Sequence, residues 1–457
     1  MGLARTGILC WLLARSMKGR LVLRFDDAHL AADDRGILPI LRGLDWLGVD
    51  WDEGPDIGGA HGPYLESQRL PLYQQCADEL ITHGRAYVCR CSEARLASLR
   101  KQRRGYDGHC RDLNLSPDGR YVVRFRVSNA GQTAVQDLVR GQVQFSNRNL
   151  TDPVILRENG VPTYQFAYTV DDHLMGITHA VRDGQVSSTQ IMVQLFEALD
   201  WQIPHYVHWS TLLAPGGSGK LHSTTCGVGS QTFDVAYIEE YREHGYLPEA
   251  VVNLLMLTGY KPERQFFSLP DLVRGFDVSR IRKGDGTLPI HMLDSLNRAH
   301  LRGLPAEQLE QIIRKELSKR GIHGNLERLP GLVAAVRDEA TTLLDIIDLV
   351  EFALTDDVAL DLSNLPPTTL PDVARAVLVV FLHEFDSSRQ GDAQTAHRAI
   401  RSISSRSGVD YFDVIDILRF ALTGRRYGLD VWTILSTLDH DDARRRISNA
   451  IDYLATD

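Results

Sequence analysis

Hydrophobic and polar positions follow two textures along this chain, and the change falls near Leu247. Before it, short apolar runs bounded by glycine or acidic residues alternate with stretches of helical period. The apolar run Gly7–Ala14 predicts a buried helix. The segment from Gly19 to Phe25 predicts a short buried strand, because its apolar residues follow a glycine and end in acidic residues. Helical periodicity covers Ile37 to Leu47 despite Pro39 and Gly43, and a second helix is predicted from Leu70 to about Ile81. Strands alternating with helices imply an open parallel sheet. An insertion begins near Cys89, and the alternation Tyr121–Val127 predicts an extended, partly antiparallel subdomain within it. The sheet domain resumes near Val154. Past Leu247 strand signals fade and amphipathic helices dominate, interrupted by a linker at Leu365–Pro371, where adjacent prolines disfavour helix. No internal repeat or low-complexity tract is visible.

Composition narrows the picture modestly. A chain of 457 residues, 43% hydrophobic and 24% charged, has the make-up of a soluble, multidomain globular protein. Its net charge of -9 argues weakly against a nucleic-acid partner, although a local basic face can coexist with an acidic total. Six cysteines in so long a chain do not suggest a secreted disulfide framework. The run Gly7–Ala14 is too short to span a bilayer, and it lacks the cleavage site of a signal peptide. A cytoplasmic location without membrane attachment is therefore expected.

The chemistry enters through motifs. Pro162-Thr163-Tyr164, then the run Val170-Asp171-Asp172-His173-Leu174-Met175-Gly176-Ile177-Thr178-His179, then Arg182, resemble the active-site core of glutamyl-tRNA synthetases. The resemblance extends over Leu47–Pro55, Gly62-Pro63-Tyr64, Ser67-Gln68-Arg69-Leu70, Glu239–Arg242, Gly245–Ala250 and Ala421–Arg425. It covers nearly the whole chain, in order. It implies a class I synthetase fold: an α/β Rossmann-type catalytic domain with an inserted acceptor-binding subdomain, followed by an all-α anticodon-binding region. The implied partition is 1–88 for the first catalytic half, with its first strand missing, and 89–153 for the inserted subdomain. The second catalytic half with the signature loop follows at 154–245, then a helical connecting domain at 246–325 and a helical anticodon-binding domain at 326–457.

Both ATP-handling motifs depart from the family pattern. By resemblance, Met1 and Gly2 stand inside the His-Ile-Gly-His-type motif at the start of the first helix, where backbone N–H groups and the helix dipole favour phosphate. The motif's first histidine and the preceding strand and loop are missing. Loss of a central strand would leave two inner sheet edges unpaired. A translation start about 10–20 residues upstream of Met1 is therefore expected. The second motif reads Lys220-Leu221-His222-Ser223, with Ser223 where the family's phosphate-binding lysine stands. A neutral hydroxyl cannot supply the charge that lysine brings to adenylate formation. A Gly-rich stretch, Gly227-Val228-Gly229-Ser230, then precedes a helix expected at Val235. The loop reads either as a decayed surface segment or as a rebuilt functional one.

The resemblance assigns the remaining site residues. Asp26 stands where a glutamate-type group binds the substrate ammonium, and Ala28 and His29 replace a hydroxyl and a carboxylate. Tyr164 and Arg182 would contact the bound glutamate, with the guanidinium pairing its side-chain carboxylate. Asp183-Gly184-Gln185-Val186 lacks an acidic group expected near the ATP ribose. Cys89, Cys91 and Cys110 resemble a zinc site of some family members, with Asp112 as the fourth ligand and Tyr106 and His109 as rivals. Arg425 and Arg426 are the tRNA-binding candidates, and Glu339 falls where an arginine often stands. A solvated helix face explains Arg444-Arg445-Arg446 at least as well as RNA binding.

The implied function is ATP-dependent attachment of glutamate to tRNA through a glutamyl-adenylate. Mg-bound ATP would be consumed, tRNA and L-glutamate or a related acid would be partners, zinc would be structural, and the chain would act as a monomer. Gly2, Lys220 and Ser223 hold the catalytic positions. Against this stand the two damaged motifs, which admit impaired or lost activity. They also admit a repurposed paralogue activating another acid or acting on acyl-tRNA, and a non-catalytic tRNA-binding relic.

Overall fold

A computed structural model describes residues 1–28, 36–184, 186–217, 219–324, 326–355, 358–386 and 393–455. His29 and Gln185 lie outside the described residues. The chain divides into two compact units, one of residues 1–241 with 248–293, the other of residues 242–247 with 294–457.

The first unit opens on helix Gly2–Ser16, whose Ile8, Leu9 and Leu12 are fully buried, as the apolar run requires. Arg15 in its last turn reaches Asp50 at 2.8 Å and Asp52 at 2.7 Å, a cation placed where the helix dipole favours one. Helices Ile37–Trp46 and Leu70–Thr82 fall where periodicity puts them. Pro39 is tolerated because it occupies the first turn, where backbone N–H groups have no intrahelical acceptor. Gly43 admits Ile238 so closely that a Cβ there would stand 3.2 Å from Ile238 Cδ1.

The segment expected as a buried strand at 19–25 is corrected. It is extended, but pairs only through single parallel bridges, Val22 with Glu53 and Phe25 with Leu65, and its residues 21–25 are half-buried. A strand needs a continuous ladder, and this segment meets two different partners on the way.

The open parallel sheet is corrected in part. Its four strands run in the order Gly141–Ser146, Gln132–Asp137, His205–Trp209, His179–Asp183. The last two pair in parallel over five residues, whereas the first two form an antiparallel hairpin, as a tight turn at 138–140 demands. Among the described residues, His179–Asp183 has a strand neighbour on one side only. Asp137 joins the hairpin to His205–Trp209: its carboxylate accepts from His208 N at 2.8 Å and lies 2.6 Å from His208 Nδ1. The other imidazole nitrogen lies 2.8 Å from Thr189 Oγ1, so a buried polar chain pins three segments. Burial works against the Asp137 carboxylate, yet His208 and the amides of Arg140 and His208 hold its pKa below the usual range.

A second sheet, antiparallel throughout, is built from Ala86–Cys89, Val122–Phe125 and Val154–Leu156, which matches the alternation at 121–127.

The second unit is helical. Helices Leu293–Gly303, Ala306–Lys319 and Leu329–Val336 lead to Leu343–Val350, then Pro371–Asp386, Ala393–Ser407, Tyr411–Thr423 and His440–Tyr453. Their apolar faces share one core that includes Ile313, Leu332, Ile347, Phe381, Ile417 and Ile447. The proline stretch forms a turn before Pro371, with Thr369 N donating to Pro366 O. Among the described residues no helix is long and apolar enough to cross a membrane.

Candidate functional site

Helix Tyr164–Leu174 carries Tyr164, Tyr168 and Asp172 at successive i, i+4 positions, so the three line one face. Tyr164 is half exposed and meets the Tyr168 ring edge-on, with centroids 5.9 Å apart. Asp172 is buried between two arginines. Its Oδ1 lies 2.6 Å from Arg24 Nη2, and its Oδ2 lies 3.4 Å from Arg182 Nη2. Both guanidinium groups stand over the Tyr168 ring, at 4.9 Å for Arg24 and 4.8 Å for Arg182. Burial opposes the Arg24 charge, but Asp172 and Asp171 outweigh it and raise its pKa.

Asp171 turns the other way. It accepts from Arg69 Nε at 2.7 Å and from the Tyr73 hydroxyl at 2.9 Å. Burial pushes its carboxyl above the usual range, with Arg24 and Arg69 offsetting part of the effect. The adjacent aspartates thus split their work: one ties the helix to Leu70–Thr82, the other holds the two arginines. Motifs alone assign no role to Tyr168, Asp172 or Arg24. The i, i+4 spacing from Tyr164 was the available signal for the first two.

Arg182 is the residue best prepared for an anion. Its side chain is 10% exposed, its contact with Asp172 is long, and its Nε is buried with no hydrogen-bond partner. A buried guanidinium nitrogen without an acceptor is costly, and a bound carboxylate would satisfy it. Asp26 is exposed at the lip of the same region, against Tyr168. Asp27 is occupied, accepting from Ser67 N at 2.8 Å and from Ser67 Oγ at 2.6 Å.

The ATP-motif residues are placed less productively. Gly2 is the exposed first residue of helix Gly2–Ser16, and a Cβ there would meet nothing within 4 Å. Lys220 comes to the strand carrying Arg182 through an ion pair of 3.2 Å with Asp183, and stays 71% exposed. Ser223 donates its hydroxyl to the Asp234 carboxylate. Burial works against that carboxylate, but Ser223 and the amides of Thr224 and Ala236 hold its pKa below the usual range. The Gly-rich stretch folds into a hairpin, Thr225–Val228 against Gln231–Asp234. The helix expected at Val235 begins instead at Ile238, because Asp234 is spent on the turn. Ser223 is therefore an anchor of this hairpin.

The cysteines do come together. The Sγ atoms of Cys89, Cys91 and Cys110 all lie within 4.8 Å of one another, and those of Cys91 and Cys110 are 3.6 Å apart. Asp112 is not with them: its carboxylate pairs with Arg126 at 2.9 Å and is 84% exposed. The Tyr106 hydroxyl lies beside them, 3.6 Å from Cys89 Sγ and 4.0 Å from Cys91 Sγ, and accepts from Cys110 N at 2.8 Å. Burial works against the Cys89 thiolate, yet the Cys91 amide, Arg124 and Tyr106 bring its pKa below that of a free thiol, whereas burial and the neighbouring sulfurs push Cys91 up to about 11. Three soft sulfurs at this separation suit a tetrahedral zinc ion.

In the helical unit, Arg425 pairs with Glu351 at 3.4 Å and donates to Asp348 O. Arg426 is freer: it lies over the Tyr427 ring at 5.1 Å, and Tyr427 is 72% exposed. Gly424, in the left-handed conformation with φ 72°, ends the helix and orients this pair. Arg446 is buried and caps Leu422 O at 2.9 Å and Thr355 O at 2.7 Å, so it is structural. Glu339 is exposed.

Known proteins match this chain along nearly its whole length. Residues 1–295 match the family model for the catalytic domain of class I tRNA synthetases (E and Q), and residues 303–451 match that for an anticodon binding domain. The chain is 32% identical over 479 residues to a glutamate–tRNA ligase of Moorella thermoacetica, covering 99% of this chain and 96% of that one. It is 32% identical over 476 residues to a glutamate–tRNA ligase of Dehalococcoides mccartyi, covering 100% and 95%. A glutamate tRNA ligase structure from Elizabethkingia meningosepticum, in complex with its amino acid, superposes with a TM-score of 0.80 at 24% identity, covering 99% of this chain and 96% of that one. At that identity the likeness speaks for the fold.

Proposed function

Because this chain belongs to the glutamate–tRNA ligase family of class I synthetases, we propose that it condenses L-glutamate with Mg-bound ATP to an enzyme-held glutamyl-adenylate and passes the acyl group to a tRNA. The observation that carries this reading is Arg182, a buried guanidinium with an unpartnered Nε facing Tyr168. That group would pair the side-chain carboxylate of glutamate, with Tyr164 closing over it. The exposed Asp26 would receive the ammonium. There is little acid–base work for side chains in such a reaction; alignment and charge stabilisation do most of it. Gly2 would offer its helix N-terminus to phosphate, and Lys220, once released from Asp183, would bring the one charge left in the signature loop.

Zinc, if bound, would tie the segment around Cys110 to strand Ala86–Cys89, held by Cys89, Cys91, Cys110 and Tyr106. Arg426 and Tyr427 offer a cation and a stacking face to an RNA base. In this reading the chain works in the cytoplasm as a monomer.

A second reading rests on one observation: Ser223 is bound to Asp234 and Lys220 to Asp183, so the loop that should grip phosphate is engaged with carboxylates. It makes the chain a tRNA-binding protein without adenylate chemistry, or one that activates another acid. The discriminating experiment is amino-acid-dependent ATP–pyrophosphate exchange with total tRNA present. Exchange with glutamate supports the ligase; exchange only with another acid supports the repurposed enzyme. Tight tRNA binding without exchange leaves the binding protein.

A further inference from the structure

Glu66 is a buried acid that the site described so far does not use. Its position follows from the backbone. Phe25 bridges Leu65 in parallel, with Phe25 N donating to Tyr64 O and Glu66 N donating to Phe25 O, both at 2.9 Å. Asp26 and Glu66 are the next residues on the two paired segments. Asp26 is exposed at the lip, while Glu66 is only 5% exposed.

The other acids nearby are spoken for. Asp27 is held by Ser67, and Asp171 by Arg69 and Tyr73. Among the described residues, no hydrogen bond or ion pair reaches the Glu66 carboxylate. A buried carboxylate without a partner is costly unless it is neutralised or meets a cation. Burial first, then Asp26, Asp171 and Asp27, push the Glu66 carboxyl up to about 7, and Arg157 eases this only in part. On the Tyr168 side of Asp26 stand Arg24 and Arg182, the groups that favour anions. A zwitterion matches that layout, with its carboxylate toward the arginines and its ammonium toward the acids.

We propose that Glu66 is a specificity-determining residue which, with Asp26, seats the α-ammonium of the amino-acid substrate. The proposal rests on the reading of this cleft as the glutamate site. Asp26 alone is an exposed, screened carboxylate; Glu66 beneath it supplies a charge that water does not shield. The ammonium in turn removes the cost of leaving Glu66 ionised. Acids that lack the amine gain nothing from the pair and are rejected.

The test compares L-glutamate with glutarate, the same carbon chain without the amine, by isothermal titration calorimetry on the full chain. No ATP chemistry is needed. The wild-type protein is expected to prefer L-glutamate, and Glu66→Gln to reduce that preference about tenfold or more, the worth of a hydrogen bond to a charged group. Glutarate affinity should stay unchanged in the variant, which also reports that the cleft is folded. The wild-type preference should strengthen as pH rises through about 7, and that slope should vanish in Glu66→Gln. An unchanged preference in Glu66→Gln, with the wild type still favouring glutamate, overturns the subsite alone. A wild-type protein that binds neither acid, or both equally, overturns the glutamate reading and the subsite with it.

Discussion

Arg24 and Arg182 meet on opposite oxygens of a single carboxylate, that of Asp172, at 2.6 Å and 3.4 Å. The inequality has a functional reading. Arg24 is the close partner of the buried Asp172, whereas the looser contact commits Arg182 less firmly to it. Removing one member of a buried pair strands the other charge, at a cost of about 3–5 kcal/mol. Arg24→Met is therefore expected to lower stability by roughly that amount, measured by urea unfolding. Arg182→Ala should cost less stability but weaken L-glutamate binding by about 100-fold. Equal unfolding losses for the two variants would show that both arginines are structural.

The signature loop can be rebuilt in one step. Ser223→Lys restores a charge where the family pattern has one, and the loss of a single charged or hydrogen-bonding group at such a site typically costs about 10²–10³ in rate. The variant is expected to raise glutamate-dependent pyrophosphate exchange by at least about tenfold. The substitution also breaks the Ser223–Asp234 bond, so circular dichroism melting should accompany the assay. A stable variant with no gain would place the defect elsewhere in the ATP site.

The metal prediction separates two candidate fourth ligands. Purified protein should contain one zinc per chain by atomic absorption, and Cys110→Ser should lose it. Tyr106→Phe should weaken retention against a chelator, whereas Asp112→Ala should leave it unchanged, because Asp112 pairs with Arg126 instead. Retention that depends on Asp112 would reject the geometry.

Glu66 predicts a pH signature in the unliganded protein. Its folded pKa is raised to about 7 from 4.5, so the fold favours the protonated form. That stabilisation is fully present below about pH 4.5 and is lost as pH rises through about 7. The wild-type melting temperature should thus fall relative to that of Glu66→Gln between pH 5 and pH 8, roughly the window those two pKa values bracket. Parallel curves for the two proteins would mean that Glu66 ionises freely.

Helix Leu70–Thr82, the buried helix Gly2–Ser16 and the helical second unit were legible in the sequence, because helical period is a local property and each apolar face repeats within a few residues. The family was legible too, since motif order survives without any knowledge of packing. The candidate site was legible only in part. Tyr164, Arg182, the three cysteines and, as a rival ligand, Tyr106 were named from motifs, but Tyr168, Asp172 and Glu66 acquire meaning from partners far away in sequence. The same holds for the corrections. Whether 19–25 forms a ladder depends on what lies beside it, and Asp112 is lost to Arg126 because a surface carboxylate takes the cation within reach. Periodicity and motif are written along the chain; charge partners, strand edges and the clustering of the three cysteines exist only once separate segments are brought together, and these only the tertiary structure decided.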